Sequence, residues 1–287
     1  MNETEWRNEL EERFIDVNGI SLHVVIIGNG KPLVLLHGFP EFWYSWRHLI
    51  PQLKTDFQLI IPDLRGYNLS DKPDGINNYH IDLLVSDVIG IIESLGFEEV
   101  YLAGHDWGGV LAWFVAEKHP NLISKLAILN APHLRIFQDL LKNNQEQRKA
   151  SYYIFEFLKP EEENSLIKDD CKMLKNALIA GLNNNPKLTE FDKQRIRDAW
   201  DQPGALLAGV NYYRANLDYK DWTGMINVPT LVIHGMKDTA ILPIVLEGLQ
   251  EYVKELQIVR DENSGHTVMS DNPQLVINEF RAFFLNK

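Results

Sequence analysis

The residues best placed to do covalent chemistry lie in residues 100–109, VYLAGHDWGG. A short apolar run, 100–103, leads into Gly104-His105-Asp106-Trp107-Gly108, and a helical pattern follows over 110–119. Strand, glycine-flanked turn and helix make a nucleophile elbow with Asp106 at its tip. Small neighbours let the strand and helix close around a strained turn. The helix aims its N-terminal N–H groups and positive dipole end at the turn, so a carboxylate there stays ionised and can attack. Asp is also an ordinary helix N-cap, so the pentapeptide alone leaves both readings open. Two further residues decide between them. Asp238, in HGMKD, follows an apolar run ending at His234, and His266, in SGH, follows one ending at Val259. An ester formed on Asp106 needs a base to hydrolyse it, and the base needs an orienting acid. Nucleophile, acid and histidine appear in that order, each just beyond a predicted parallel strand, where the loops of an open sheet converge. Chymotrypsin and subtilisin order the same roles differently.

The elements that must position these residues follow from periodicity. Residues 13–17 and 20–27 read as strands joined by Asn18-Gly19, a hairpin signal. Continuous apolar runs at 33–36, 58–61, 100–103, 125–129 and 230–234 read as strands buried on both faces. Helical patterns at 79–95, closed by Gly96, and at 110–119 alternate with them. The fold class is α/β, with a mostly parallel, doubly wound sheet. After Asn130-Ala131-Pro132 the texture changes, and no strand is expected between residues 134 and 222. That segment reads as a helical lid between the sixth and seventh core strands. The expected organisation is core, 1–133; helical cap, 134–222; core, 223–287. A helix from Pro243, a strand at 256–259 and a last helix at 273–285 complete the second core part. Asp63, Arg65 and Asp71 are expected to form an ion-pair network that holds their loop.

Composition narrows the function classes. The 287 residues are 45% hydrophobic and 24% charged, which suits a globular domain with a real core. A net charge of −12 argues against a nucleic-acid partner. Cys171 is the single cysteine, so neither an intramolecular disulfide nor a cysteine metal cluster is expected. The histidines form no H-E-x-x-H or other metal pattern, and no metal is expected. No run approaches the ~18 apolar residues of a membrane span, and MNETEWRNEL lacks a signal core. The expectation is a soluble, cytoplasmic protein.

HGFPEFWYSWR, DLRGY, SDKP, GHDWGG, HGMKD and SGH together resemble the epoxide hydrolases of the α/β-hydrolase fold. The likeness runs from about Arg13 to Phe284. In the lid, YIFEFLKP resembles a family segment whose tyrosine is Tyr153 here, and NYYR puts a second tyrosine at Tyr213. Asn68 stands where the family usually has Gly, Tyr212 where it usually has Trp, and Thr267 where Trp is common. The resemblance implies that Asp106 opens an epoxide by forming a hydroxyalkyl ester, while Tyr153 and Tyr213 hold the oxygen and supply its proton. His266, oriented by Asp238, then activates water, and the backbone N–H groups of Phe39 and Trp107 form the oxyanion hole. His37, Pro40, Trp43 and Tyr212 are expected around the substrate pocket. The partners are a small epoxide and water, no cofactor is needed, and a monomer or a homodimer is expected. Two rival readings remain. A haloalkane or haloacid dehalogenase shares the Asp nucleophile but calls for other residues at Phe39 and Trp107. A non-catalytic ligand-binding member of the fold would not need the intact set. A carboxylesterase would need Ser at position 106.

Overall fold

The computed structural model describes residues 6–160 and 163–286. Eight strands form one sheet: β1 (Glu11–Val17), β2 (Ile20–Ile27), β3 (Lys31–Leu36), β4 (Phe57–Pro62), β5 (Val100–His105), β6 (Ile123–Leu129), β7 (Thr230–Gly235) and β8 (Leu256–Asp261). Their order is β1-β2-β4-β3-β5-β6-β7-β8. β2 pairs antiparallel with both β1 and β4, and the remaining neighbours run parallel. The β1–β2 turn is Asn18-Gly19, with φ of 51° and 77°. Two positive φ angles give the tight turn whose twist matches that of the strands it joins.

Side chains alternate across the sheet, so apolar strands bury both faces. Val34, Leu36, Leu102 and Ile128 join one core with Val88 and Ile91 of α2 (Ile81–Ser94) and Leu111 and Phe114 of α3 (Trp107–Lys118). Leu33, Leu35, Tyr101 and Leu129 join the other with Leu53 of the short helix α1 (Ile50–Leu53), Met269 of α10 (Val268–Asp271) and Phe280 and Phe284 of α11 (Pro273–Leu285). Helices thus cover both faces, as the apolar runs led one to expect.

Between β6 and β7 the described residues contain helices and no strand: α4 (Leu134–Asn143), α5 (Gln145–Ala150), α6 (Tyr152–Phe157), α7 (Lys168–Asn183), α8 (Glu190–Trp200) and α9 (Ala205–Asn216). Thr189 opens α8 with a capping box, its hydroxyl accepting from Asp192 N–H while the Asp192 side chain accepts from Thr189 N–H. Among the described residues no helix is long and apolar enough to cross a membrane.

Two local expectations are corrected. The helix expected from Pro243 is a pair of short 3₁₀ turns, Pro243–Leu246 and Leu249–Glu251, broken at Gly248 with φ 82°. A left-handed residue cannot continue a right-handed helix. Asp63, Arg65 and Asp71 do not pair with one another. Asp63 accepts from Trp43 N–H and from Asn68 and faces the His23 ring; Arg65 forks onto Asp87; Asp71 accepts from Ser21 N–H. The charged groups tie the loop outward to β2 and α2, while Asn68 and Ser70 close it onto Asp63. Asn68 has φ 40°, a conformation that Asn tolerates where Gly is usual.

Candidate active site

β5 ends at His105 and α3 begins at Trp107, so Asp106 occupies the one-residue elbow between them. Its backbone has φ 50° and ψ −122°, outside the regions that L-residues favour. The glycines make this fold locally feasible: a Cβ on Gly104 would collide with the backbone of Gly108, and one on Gly108 with the backbone of Leu36. The Phe39 N–H donates to Asp106 Oδ1 at 2.8 Å. Trp107, first in α3, has an N–H with no acceptor inside the helix and stands beside the same carboxylate. Gly38 lies so close to Asp106 that a Cβ there would overlap its side chain. The Phe39–Pro40 peptide is cis.

The loops after β7 and β8 bring the other two residues to this elbow. His266 Nδ1 lies 2.7 Å from Asp238 Oδ2, and its Nε2 lies 3.5 Å from Asp106 Oδ2. Asp238 Oδ1 accepts from Ala240 N–H and Ile241 N–H, and its Oδ2 also accepts from Asn130 Nδ2 at 2.8 Å. Burial alone would raise the Asp238 carboxyl, but the hydrogen bond and charge of His266, helped by Ile241 and Asn130, hold it at about 2. For His266, burial works against the charged form, yet the two flanking carboxylates, Asp106 and Asp238, raise it well above an ordinary imidazole. With Asp238 accepting at Nδ1, the Nε2 atom faces the elbow.

Tyr153 on α6 and Tyr213 on α9 close the opposite side. Together with Asp106 and Trp107 they line a cavity of about 30 Å³ whose other walls include Val110, Phe137, Ile154 and Leu217. The two phenol rings meet edge to face at 6.1 Å, and Tyr213 packs likewise on Trp107 at 5.0 Å. Burial, and then the negative charge of Asp106, raise the Tyr153 phenol. Burial, then the neighbouring Tyr153 and Asp106, raise Tyr213 as well, so both stay protonated beyond the normal phenol range.

The four expected pocket residues lie elsewhere. His37 is fully buried: its Nε2 accepts from Leu64 N–H at 3.0 Å, so Nδ1 carries the proton and donates to Gly38 O. Burial lowers its pKa, consistent with a neutral ring that braces the loop. Trp43 belongs to the core on the far side of the sheet. Tyr212 is buried behind Trp107, its hydroxyl donating to Arg65 O at 2.7 Å, so it touches the cavity only through that indole. Pro40 lines a separate cavity of about 340 Å³ with Thr267 and Trp200, and its carbonyl accepts from Trp200 Nε1. Sequence motifs located these residues near the elbow, but side-chain direction depends on the local backbone phase.

Three contributors escaped the sequence reading. Asn130, taken only as the start of a change in texture, has φ 41° and links Asp238, Gly265 O and Gly235 N–H. His105 spans Glu41 and the backbone carbonyl of His266, at 2.9 Å each. Glu41 also accepts from Gly38 N–H; burial would raise its carboxyl, but His105 holds it at about 2. A polar residue at the C-terminal end of a buried strand was the available signal: His105 closes β5 and Asn130 follows β6.

A carboxylate at a strained elbow and two protonated phenols therefore line one apolar space, and an acid–histidine pair stands beside the carboxylate. A family model described as alpha/beta hydrolase fold matches residues 31–273. The chain is 34% identical to Epoxide hydrolase 1 of Caenorhabditis elegans, over 96% of this chain and 70% of that protein. It belongs to the epoxide hydrolases of the α/β-hydrolase fold. A second member of this fold, the AB hydrolase superfamily protein YfhM of Bacillus subtilis (strain 168), is 37% identical over 92% of this chain and 94% of its own. The crystal structure of the Bacillus megaterium epoxide hydrolase in complex with an inhibitor superposes with a TM-score of 0.87 at 34% identity, covering 96% of this chain and all of that one.

Proposed function

We propose that this member of the epoxide hydrolases converts a small epoxide and water into a vicinal diol through an ester on Asp106. The observation that carries the reading is the shared cavity of Asp106, Tyr153 and Tyr213. Asp106 Oδ2 attacks an epoxide carbon, the carbon–oxygen bond breaks, and a tyrosine O–H supplies the proton that an alkoxide needs to leave at neutral pH. Esterification removes the negative charge beside His266. The imidazolium then loses part of what holds its proton, and that proton restores the tyrosinate. Neutral His266, oriented by Asp238, takes a proton from water as the water attacks Cγ of Asp106. The oxyanion forms on Oδ1, where the N–H groups of Phe39 and Trp107 receive it. Collapse expels the diol oxygen, which takes the proton left on the Asp106 carboxyl. Asp106 is ionised again and His266 protonated, so atoms and charge balance without a metal or cofactor.

In this reading residues 134–222 act as a cap over a core formed by 1–133 and 223–287, and the cap supplies the acid while the core supplies the nucleophile and base. A single, buried cysteine, Cys171, fits a reducing, cytoplasmic setting. A halide would leave without a proton, so two raised phenols favour an oxygen leaving group over a halogen. The test is turnover of styrene-oxide-like, aliphatic and fatty-acid epoxides beside haloalkanes. Diol formation without halide release is expected; halide release without diol would overturn the proposal.

A further inference from the structure

The loop that follows Asp238 is held from two directions. On the core side Ala240 N–H and Ile241 N–H donate to Asp238 Oδ1 at 2.9 and 3.0 Å. On the cap side Gln147 of α5 and Ser151, the residue before α6, reach the same loop. Both side chains are fully buried. Gln147 Nε2 donates to Ala240 O at 2.8 Å and to Ser151 Oγ at 2.7 Å, and its Oε1 accepts from Leu242 N–H at 2.9 Å. These partners fix which end of the amide is which, since Ala240 O can only accept and Leu242 N–H can only donate. Ser151 Oγ gives its own hydrogen to Ala240 O at 3.1 Å.

The contacts meet on two consecutive peptide units. Ala240 C=O and Ile241 N–H belong to one rigid plane. The cap grips its oxygen and Asp238 grips its hydrogen. Ile241 C=O and Leu242 N–H form the next plane, whose oxygen accepts from His234 Nε2 at 3.1 Å and whose hydrogen goes to Gln147. A plane fixed at both ends cannot turn, and donors arriving at a carbonyl polarise the N–H of the same peptide. Against the burial that would raise it, the Asp238 carboxyl is held at about 2 by His266 and then by this Ile241 N–H. Asp238 in turn faces His266 Nδ1 at 2.7 Å. At the other end of the clamp, Ser151 stands two residues before Tyr153 and directly precedes its helix. Ile241 lines the same cavity as Asp106 and Tyr153.

We propose that Gln147, with Ser151, is a positioning residue that couples the two halves of the reaction: by fixing the peptide planes from Ala240 to Leu242, it aligns Asp238 and His266 for ester hydrolysis while the cap helix bearing Tyr153 is seated. This rests on the epoxide hydrolysis proposed above. The base then owes its alignment to the cap as well as to the sheet.

The variant Gln147→Met keeps the length and bulk of the side chain and deletes the clamp. Single-turnover ester hydrolysis should slow by about 10–10²-fold, the scale on which small displacements of catalytic groups act. Alkylation of Asp106 should fall less, because Tyr153 keeps its ring contacts with Phe157 and Tyr213. Ser151→Ala removes one of the two donors on Ala240 O and should give a smaller loss in the same step. The downfield proton resonance of the His266–Asp238 hydrogen bond, recorded without substrate and identified by its absence from His266→Gln, should move in both variants. Leu174→Ala, at a buried cap position on α7 outside the clamp, should lower the melting temperature without moving that resonance. A folded Gln147→Met enzyme with the wild-type resonance and hydrolysis rate would overturn the clamp, as would an equal shift of the resonance in Leu174→Ala. If Gln147→Met does not fold, wild-type resonance and hydrolysis in Ser151→Ala overturn it instead. Failure of the unaltered enzyme to alkylate Asp106 would remove the hydrolase reading, whereas the resonance, which needs no substrate, would still decide whether the clamp holds Asp238 against His266.

Discussion

The two sides of the cavity are held by different forces. On the core side Asp106, Asp238 and His266 are fixed by directional polar contacts: Phe39 N–H on Asp106, Ala240 and Ile241 N–H with Asn130 on Asp238, and Asp238 on His266. On the cap side Tyr153 and Tyr213 are held chiefly by rings. Phe157 contacts both, at 5.8 and 5.2 Å, and Phe39 and Trp107 meet Tyr213 at 5.7 and 5.0 Å. Charge that develops in a reaction needs donors that do not reorganise, and the sheet-anchored loops supply them. A proton donor must follow the oxygen of whichever epoxide carbon is attacked, and a packed aromatic cluster has fewer directional contacts to break than the core side. Polar contacts also cross between the sides, among them Gln147, which is fully buried, donates to Ala240 O and accepts from Leu242 N–H, just beyond Asp238.

The largest effect should come from removing the cap's chemistry while keeping its packing. General acid catalysis contributes roughly 10²–10⁴-fold. Tyr153→Phe or Tyr213→Phe alone should leave partial activity, because the second phenol still reaches the oxygen. The double variant should lose alkylation of Asp106 almost completely in single-turnover experiments, with non-additive effects. A folded double variant that alkylates at near wild-type rate would reduce the tyrosines to packing.

The next predictions set packing against polarity. Phe157→Ala removes a ring that is 2% exposed and touches both tyrosines, and should cost about 3–5 kcal/mol of stability. It should slow alkylation more than ester hydrolysis, since the core side keeps its hydrogen bonds. Asn130→Ala leaves Gly235 N–H without its partner and removes a donor from Asp238, a cost of about 1–3 kcal/mol. Here ester hydrolysis should slow more than alkylation. Thermal unfolding with both single-turnover phases measures each; a reversed pattern would dissolve the division between the two sides.

The pH profile gives each side its own limb. His266 must be neutral in the ester, so hydrolysis should fall as pH drops through its value there. The phenols, raised by burial and by Asp106, should keep alkylation active to pH above about 10. Tyr213→Phe should move the alkaline limb only. An alkaline limb well below 10 would contradict the buried, protonated tyrosines. These are macroscopic values of a coupled site.

The same division decides what could be read before any coordinates. The hairpin at Asn18-Gly19, the doubly buried strands and the helix-only stretch between β6 and β7 follow from turn chemistry and period, which are local. Asp106, Asp238 and His266 sit where strands end, and topology alone brings such positions together. The pocket walls did not follow. Tyr212 and Tyr213 are adjacent on α9, yet one turns inward behind Trp107 and the other faces Asp106. A shift of one residue is about 100° around a helix; NYYR singled out Tyr213 but did not turn Tyr212 away from the pocket. His37 likewise reads as a pocket residue in HGFP but is committed to Leu64 N–H and Gly38 O. Distant polar braces such as Asn130 and Glu41 become visible only when their partners are in place.

The central claim is that core and cap act in sequence on one covalent intermediate. His266→Gln removes the base and leaves Asp106 and both tyrosines. Mixed with an epoxide that the wild-type enzyme hydrolyses, this variant should accumulate one added substrate mass, mapped by peptide analysis to Asp106. An unmodified protein, despite demonstrated binding of the same epoxide, would contradict the ester mechanism.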